Sequence, residues 1–170
     1  MSGYIQIYTG NGKGKTTAAL GLTLRAVGAG KTVFFGQFVK GQVYSEIKAL
    51  QQFPAVQVKQ YGLDCFIRHE PTQPDIQAAR EGLREISEII VSGKYDIIVL
   101  DEASIALYYN LFTVEELISV LKQKPEETEI IITGRYAPPQ LIEIAALVTE
   151  MKEIKHYYRQ GVMARVGIEC

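Results

Sequence analysis

Cysteine is scarce in this chain: Cys65 and Cys170 are the only two, they lie far apart, and neither stands in a CxxC or Cys/His spacing. That excludes a disulfide framework and a zinc site of the usual ligand pattern, and it leads us to expect a reducing, cytoplasmic compartment. No apolar run approaches the roughly 20 residues of a membrane span. Met1-Ser2-Gly3 passes directly into strand-like sequence, so neither a membrane anchor nor a signal peptide is expected. Repeats, low-complexity tracts and Pro/Ser-rich linkers are also missing, which predicts a single domain over residues 1–170. A chain of this length buries roughly 70% of its unfolded surface and holds a core without covalent or metal staples. A basic excess is lacking too. The 18 Lys and Arg face 19 Asp and Glu for a formal net charge of −1, which argues against a broad nucleic-acid surface.

Acidic residues are absent from the first 45 positions, which carry Lys13, Lys15, Arg25, Lys31 and Lys40 and so a charge of +5; the remainder of the chain carries −6. Five solvated cations would give the same count, so their neighbours decide what they do. Short runs rich in Ile, Val, Phe and Tyr recur at Tyr4–Tyr8, Thr32–Phe38, Val56–Tyr61, Asp96–Leu100, Glu129–Thr133 and Leu147–Met151 and predict strands. Helical spacing falls between them, at Thr16–Val27, Ser45–Gln52, Pro74–Ser92, Thr113–Lys122 and Pro139–Ala146. Thr113 with Glu116 reads as a capping box, and Pro74 and Pro139 suit first helical turns. Alternating strands and helices predict an α/β fold: an open, mainly parallel six-stranded sheet with helices on both faces and ligands at the carboxyl ends of the strands.

The first predicted strand runs into Thr9-Gly10-Asn11-Gly12-Lys13-Gly14-Lys15-Thr16-Thr17 and then into an alanine-rich helix start. This is the placement of a P-loop, where glycine N–H groups and a helix N-terminus converge on phosphate. Gly10, Asn11, Gly12, Lys13, Gly14, Lys15, Thr16 and Thr17 are the candidate ATP contacts. Lys15 would supply charge to the phosphates, and the Thr16 hydroxyl stands where Mg²⁺ is bound. The usual first glycine of the motif is replaced by Thr9 and displaced to Gly10, giving a loop one residue tighter with an added cation in Lys13. A dinucleotide fingerprint is excluded, because it would need glycine where Lys15 stands. Farther on, Ile97-Ile98-Val99-Leu100-Asp101-Glu102 is an apolar strand ending in two carboxylates, a Walker B arrangement expected beside the P-loop strand. Asp101 or Glu102 would then complete the Mg²⁺ shell. The run Ile130–Arg135 should open on the same crevice. Arg135 there either reaches phosphate or pairs with a surface acid, and Arg25, inside the first helix, is similarly open.

The loop GNGKGKTTAA, residues 21–28 of the helix, Gln37-Phe38-Val39-Lys40-Gly41, Val99–Glu102, Ile132–Arg135 and the tail from Lys155-His156 through Gly161–Ala164 to Gly167-Ile168-Glu169 together resemble the ATP:corrinoid adenosyltransferases of the cobalamin pathway. The resemblance covers about Ile5 to Glu169. It implies a RecA-like P-loop fold and an enzyme that moves the 5′-deoxyadenosyl group of ATP to the cobalt(I) of a reduced corrinoid, releasing intact triphosphate. The nucleotide would lie inverted in the loop, with the γ-phosphate near the usual α-phosphate place. Lys13, Lys15 and Arg135, with Mg²⁺ or Mn²⁺, would stabilise the departing triphosphate, Arg25 would join the ATP contacts, and Asn11 is a candidate for the ribose. Cobalt(I) is a strong nucleophile, so the lack of a Ser/His/Asp or Cys/His constellation fits.

In the resembled family, aromatic side chains after the third strand displace the lower axial ligand of cobalt. That loop here is Tyr61–His69, which makes Gly62, Leu63 and Phe66 the candidate corrinoid contacts, with core packing as the alternative for Phe66. The tryptophan of some relatives has no counterpart, since the chain contains none. His69 and His156 are read as structural rather than as cobalt ligands. Some relatives carry a longer N-terminal arm over the corrinoid; a first strand three residues from Met1 suggests a more open site or a lid from a partner subunit. The partners implied are ATP, the corrinoid, a flavoprotein reductase and a second copy of the chain, with neither nucleic acid nor membrane among them. The rival readings are a RecA-like ATPase acting as a nucleotide-dependent switch or binding module, and a small-molecule kinase; both would release ADP.

Overall fold

The computed structural model describes residues 2–42, 44–63 and 70–169. Six strands, β1 (Ile5–Thr9), β2 (Val33–Phe38), β3 (Val56–Tyr61), β4 (Ile97–Asp101), β5 (Glu129–Thr133) and β6 (Leu147–Glu150), form one sheet in the order β3-β2-β4-β5-β1-β6. Every pairing is parallel. The central strands β2 and β4 are buried at every position, as a sheet covered on both faces requires, whereas β6 is exposed throughout and forms an edge.

Helices α1 (Lys15–Gly28) and α2 (Ser45–Leu50) cover one face, and α3 (Gln73–Ser92), α4 (Ala103–Tyr108), α5 (Val114–Leu121) and α6 (Pro139–Ile144) the other. On the first face Ala19, Ala26 and Leu50 pack on Phe35, Val99 and Ile131. On the second, Ile86, Ile90, Leu107, Leu117 and Leu141 pack on Phe34, Ile98, Ile130 and Ile132. Consecutive strand residues thus feed opposite cores, each fully buried side chain contributing roughly 1.5–3 kcal/mol. The capping box at Thr113 and Glu116 forms as expected, and a second one forms at Thr72 and Asp75 ahead of Pro74.

The sequence-based expectation differs from the structure in several places. β4 does not lie beside β1, because β5 is inserted between them. The one-turn helix α4 begins directly after Glu102 where no helix was expected, and a 3-10 turn at Tyr157–Gln160 interrupts the tail. The predicted second helix ends at Leu50 rather than Gln52.

Candidate active site

The loop of residues 10–14 leaves β1 and enters α1 through Gly14, whose φ of +118° only glycine adopts without strain. Gly10 also has positive φ, and a Cβ there would stand 2.5 Å from the Met151 carbonyl oxygen. That close approach is used: the Gly12 N–H donates to the same carbonyl at 2.6 Å, fastening the loop to the chain leaving β6. The first turn of α1 has no acidic side chain, so its N–H groups and dipole are left for an anion.

Lys15 is buried, and its ammonium donates to the Gly10 and Gly12 carbonyls, both at 2.8 Å. Burial first, then the Arg135 guanidinium, holds its pKa below the ordinary lysine value against the pull of Glu102 and Asp101. Lys13 points the other way, to the Ile168 carbonyl at 2.7 Å and the Glu169 carboxylate at 3.1 Å. Glu169 also accepts from the Arg165 guanidinium and the Tyr157 hydroxyl. Arg165 first, then Tyr157, with Lys13 adding to them, hold the Glu169 carboxyl well below the usual carboxylate range. The tail of residues 151–169 therefore forms a wall of the site.

Asp101, at the end of β4, is wholly buried and is oriented by three donors: Thr16 Oγ1 at 2.8 Å and Thr133 Oγ1 at 2.6 Å to Oδ1, and Gln37 Nε2 at 2.8 Å to Oδ2. The inserted strand is what makes this arrangement, since Thr133 belongs to β5 and bridges the gap between β1 and β4. The Thr133 hydroxyl also accepts the Glu102 N–H at 3.0 Å. Behind Gln37 the chain of amides continues: Gln60 donates to Gln37 Oε1 at 2.8 Å and to the Gln42 carbonyl at 2.9 Å. Glu102 stands at φ +58° as the N-cap of α4. Burial, then the Asp101 charge, raises its carboxyl pKa, while Lys40, Lys15 and Arg135 oppose the rise.

Lys40 follows Val39, a buried β-branched residue at φ +65°. Such a conformation costs on the order of 1–3 kcal/mol and persists only where the surroundings hold it. Here Gly62 and Gly41 hold it, because a Cβ on Gly62 would lie 2.6 Å from the Lys40 nitrogen and one on Gly41 2.5 Å from the Leu63 carbonyl carbon. The turn directs the Lys40 ammonium to 3.9 Å from Asp101 Oδ2 and 3.8 Å from Glu102 Oε1. Burial lowers the Lys40 pKa, but Asp101, Glu102 and Glu46 outweigh it and the net shift is upward.

Part of this set lines one crevice of about 630 Å³ at the carboxyl edge of the sheet, within the size range of small-molecule sites. Asn11, Gly12, Lys13, Gly14, Lys15, Thr16 and Thr17 line it together with Glu46, Glu102, Glu169 and Arg135, so the loop, three carboxylates and the proposed arginine meet there. Gly10 contributes its carbonyl to Lys15, and Asp101 supports the floor through Thr16. Arg25 is not brought to this group. It lies exposed in the last turn of α1, ten residues and roughly 15 Å beyond Lys15 at 1.5 Å per residue, on the side of Tyr8. Gly62 and Leu63 do not line the crevice; they pack against the backbone that carries Lys40. Phe66 and His69 lie outside the described residues. His156 lines the crevice and accepts the Tyr158 N–H at 3.1 Å. Sequence reasoning missed Lys40, Thr133, Gln37 and Gln60. A buried amide in the apolar run Val33–Phe38 was the available signal, since such a group needs a partner.

The oxygen donors suit a hard divalent cation. Thr16 and Glu102 line the crevice, and Asp101, buried behind them, accepts from the Thr16 hydroxyl at 2.8 Å and would hold it toward a cation. Among the described residues no group of three or more His, Cys, Asp or Glu side chains gathers into a protein-only cage. Substrate phosphates would have to complete the shell, as is usual for Mg²⁺. Among the same residues no helix is long and apolar enough to cross a membrane.

The model of the family described as ATP:corrinoid adenosyltransferase BtuR/CobO/CobP matches residues 1–170. The corrinoid adenosyltransferase of Escherichia coli (strain K12) is 34% identical over 98% of this chain and 85% of its own length. That of Sinorhizobium sp is 35% identical over 98% of this chain and 80% of its own. The solved structure of the flagellar accessory protein FlaH from Methanocaldococcus jannaschii superposes with a TM-score of 0.60 at 14% identity, covering 88% of this chain and 71% of that one, a likeness of RecA-like P-loop fold.

Proposed function

Because the chain belongs to the ATP:corrinoid adenosyltransferase family, a family of transferases, we propose that it moves the 5′-deoxyadenosyl group of ATP to the cobalt(I) of a reduced corrinoid and releases inorganic triphosphate. A cobalt–carbon bond forms to C5′ with the electron pair of cobalt(I), and the C5′–oxygen bond breaks, its electrons leaving on the triphosphate. The observation that carries the reading is the convergence of Lys13, Lys15, Lys40 and Arg135, from three separate loops, on one crevice.

An enzyme that expels a whole triphosphate must hold all of it as charge grows on the departing oxygen, and cations fixed in a partly buried site do this with little reorganisation. Lys15, aimed into the loop, and Lys13, on its outer side, would grip the phosphates from two directions. Arg135 would approach from the end of β5. Asn11 is the candidate for the ribose. Mg²⁺, for which Mn²⁺ would substitute, fits Thr16, Asp101 and Glu102 and when bound supplies positive charge to the phosphate oxygens. Thr133 and Gln37 keep the Asp101 carboxylate turned toward Thr16. Cobalt(I) carries no proton to remove, so positioning takes the place of a general base. The corrinoid would lie over the ends of β2 and β3, near Gly62 and Leu63, with Phe66 as the aromatic candidate. A flavoprotein reductase would supply the electrons, and a second copy of the chain remains part of the reading as a partner.

Mixing the purified protein with ATP, Mg²⁺ and chemically reduced cobalamin tests this. The expected result is the visible spectrum of adenosylcobalamin and stoichiometric triphosphate. Release of ADP without a change in the corrinoid spectrum would instead support a nucleotide-dependent switch and overturn the proposal.

A further inference from the structure

Three lysines face the crevice, and they are engaged in different ways. The Lys15 ammonium is taken by two loop carbonyls and that of Lys13 by the tail. Among the described residues the ion-pair partners of Lys40 are Asp101 and Glu102 rather than the loop or the tail. Its ammonium stands 3.9 Å from Asp101 and 3.8 Å from Glu102, beyond hydrogen-bond reach of both, with its side chain 16% exposed. Its other neighbours are the Glu46 carboxylate on α2 and the Tyr44 ring, whose centroid is 6.0 Å away. A cation is thus held in an anionic surround by attraction rather than by directed bonds. The Val39 turn fixes the base of this side chain, and its four rotatable bonds would let the head swing along the crevice it lines.

Glu102 on the crevice and Asp101 behind Thr16 are also the acids beside which a divalent cation would sit, and an ammonium and a divalent cation cannot both stand against them without strong repulsion. We propose that Lys40 is an exchangeable counter-ion: it neutralises the Asp101–Glu102 pair in the nucleotide-free site, and it turns to the polyphosphate when a divalent cation enters beside those carboxylates. The site then never carries an uncompensated buried acid pair, and one cation reaches the leaving group only with the metal-loaded nucleotide. The inference rests on the proposed function only in taking a nucleoside triphosphate as the ligand.

The test uses Lys40→Met, which keeps the stem and removes the charge, with Lys40→Arg as a charge-retaining control. Binding of Mn²⁺ to the nucleotide-free protein is read by electron paramagnetic resonance, and binding of magnesium tripolyphosphate by calorimetry. Circular dichroism checks that each variant is folded; should Lys40→Met fail to fold, Lys40→Gln replaces it. Two shifts of opposite sign are expected for the uncharged variant, about tenfold tighter Mn²⁺ binding and about tenfold weaker tripolyphosphate binding, with Lys40→Arg close to wild type in both. Unchanged or weaker Mn²⁺ binding would show that Lys40 does not occupy the acid pair, and unchanged tripolyphosphate binding that its charge does not transfer. Either result overturns the proposal. Neither measurement involves a corrinoid, so failure of adenosyl transfer by the wild-type protein would leave this test intact.

Discussion

Replacing Thr133 by valine removes a single hydroxyl from the centre of the site and keeps the side-chain shape. Thr133 is fully buried, donates to Asp101 at 2.6 Å and accepts the Glu102 N–H at 3.0 Å. In the valine variant that N–H loses its acceptor, at about 1–3 kcal/mol. Asp101 keeps Thr16 and Gln37 and loses one charge-assisted bond, worth about 1.5 kcal/mol net. The combined cost is about 3 kcal/mol, and at 2–4 °C per kcal/mol for a domain of this size the melting temperature should fall by roughly 6–12 °C. Thr133→Ser keeps the hydroxyl and deletes one methyl group, which should cost about 1 kcal/mol. Urea unfolding followed by circular dichroism, with thermal melts alongside, measures both variants. If the valine variant is as stable as the serine variant or more so, the hydroxyl does not bridge the two acidic positions and the account of β5 is wrong.

Lys15→Ala should lower adenosyl transfer about 100-fold or more, since it removes the cation nearest the loop carbonyls; the initial rate of adenosylcobalamin formation measures it, and near-wild-type turnover would mean the triphosphate lies elsewhere. Gly10→Ala places a methyl against the Met151 carbonyl at positive φ and should destabilise the protein by about 2 kcal/mol or more in urea unfolding, weakening ATP binding at the same time. At the opposite edge of the sheet, Asp96 accepts the Thr32 N–H at 2.8 Å and meets Lys31 at 3.0 Å, and these hold its carboxyl below the ordinary value. A depressed carboxylate stabilises the fold above its unfolded pKa of about 3.8, and that contribution drains away as the pH falls through the lower folded value. The advantage of wild type over Asp96→Asn should therefore be present at pH 6 and shrink below pH 4; an advantage that grows on acidification would contradict this.

The phosphate loop was readable because its parts are contiguous: residues 10–17 carry the glycines, the cations and the helix start in one stretch, and local geometry follows from local sequence. Asp101 and Glu102 were readable for the same reason, as the end of an apolar run. The insertion of β5 was not, because β4 and β5 are both short and almost wholly apolar and nothing in either specifies its neighbour in a parallel sheet. Thr133 thus looked like the end of one more strand, while it is the bridge to the acid pair. Lys40 was hidden by a conformation that valine rarely adopts, one imposed by Gly41 and Gly62 across the ends of two strands. Arg25 stands apart from the loop, since the helix carries it roughly 15 Å along its axis from Lys15. The short α4 carries too few residues to show a period.

The strand insertion also sets a schedule. Among the described strands β1, at residues 5–9, pairs with β5 and β6, which are made about 120 residues or more later. During synthesis the phosphate loop therefore emerges early on a strand with nothing to pair with, and Asp101 follows without the threonine that turns it toward Thr16. Pairings of such long range close late in folding. A nucleotide bound by the assembled site would stabilise the native state against forms in which the sheet is incomplete.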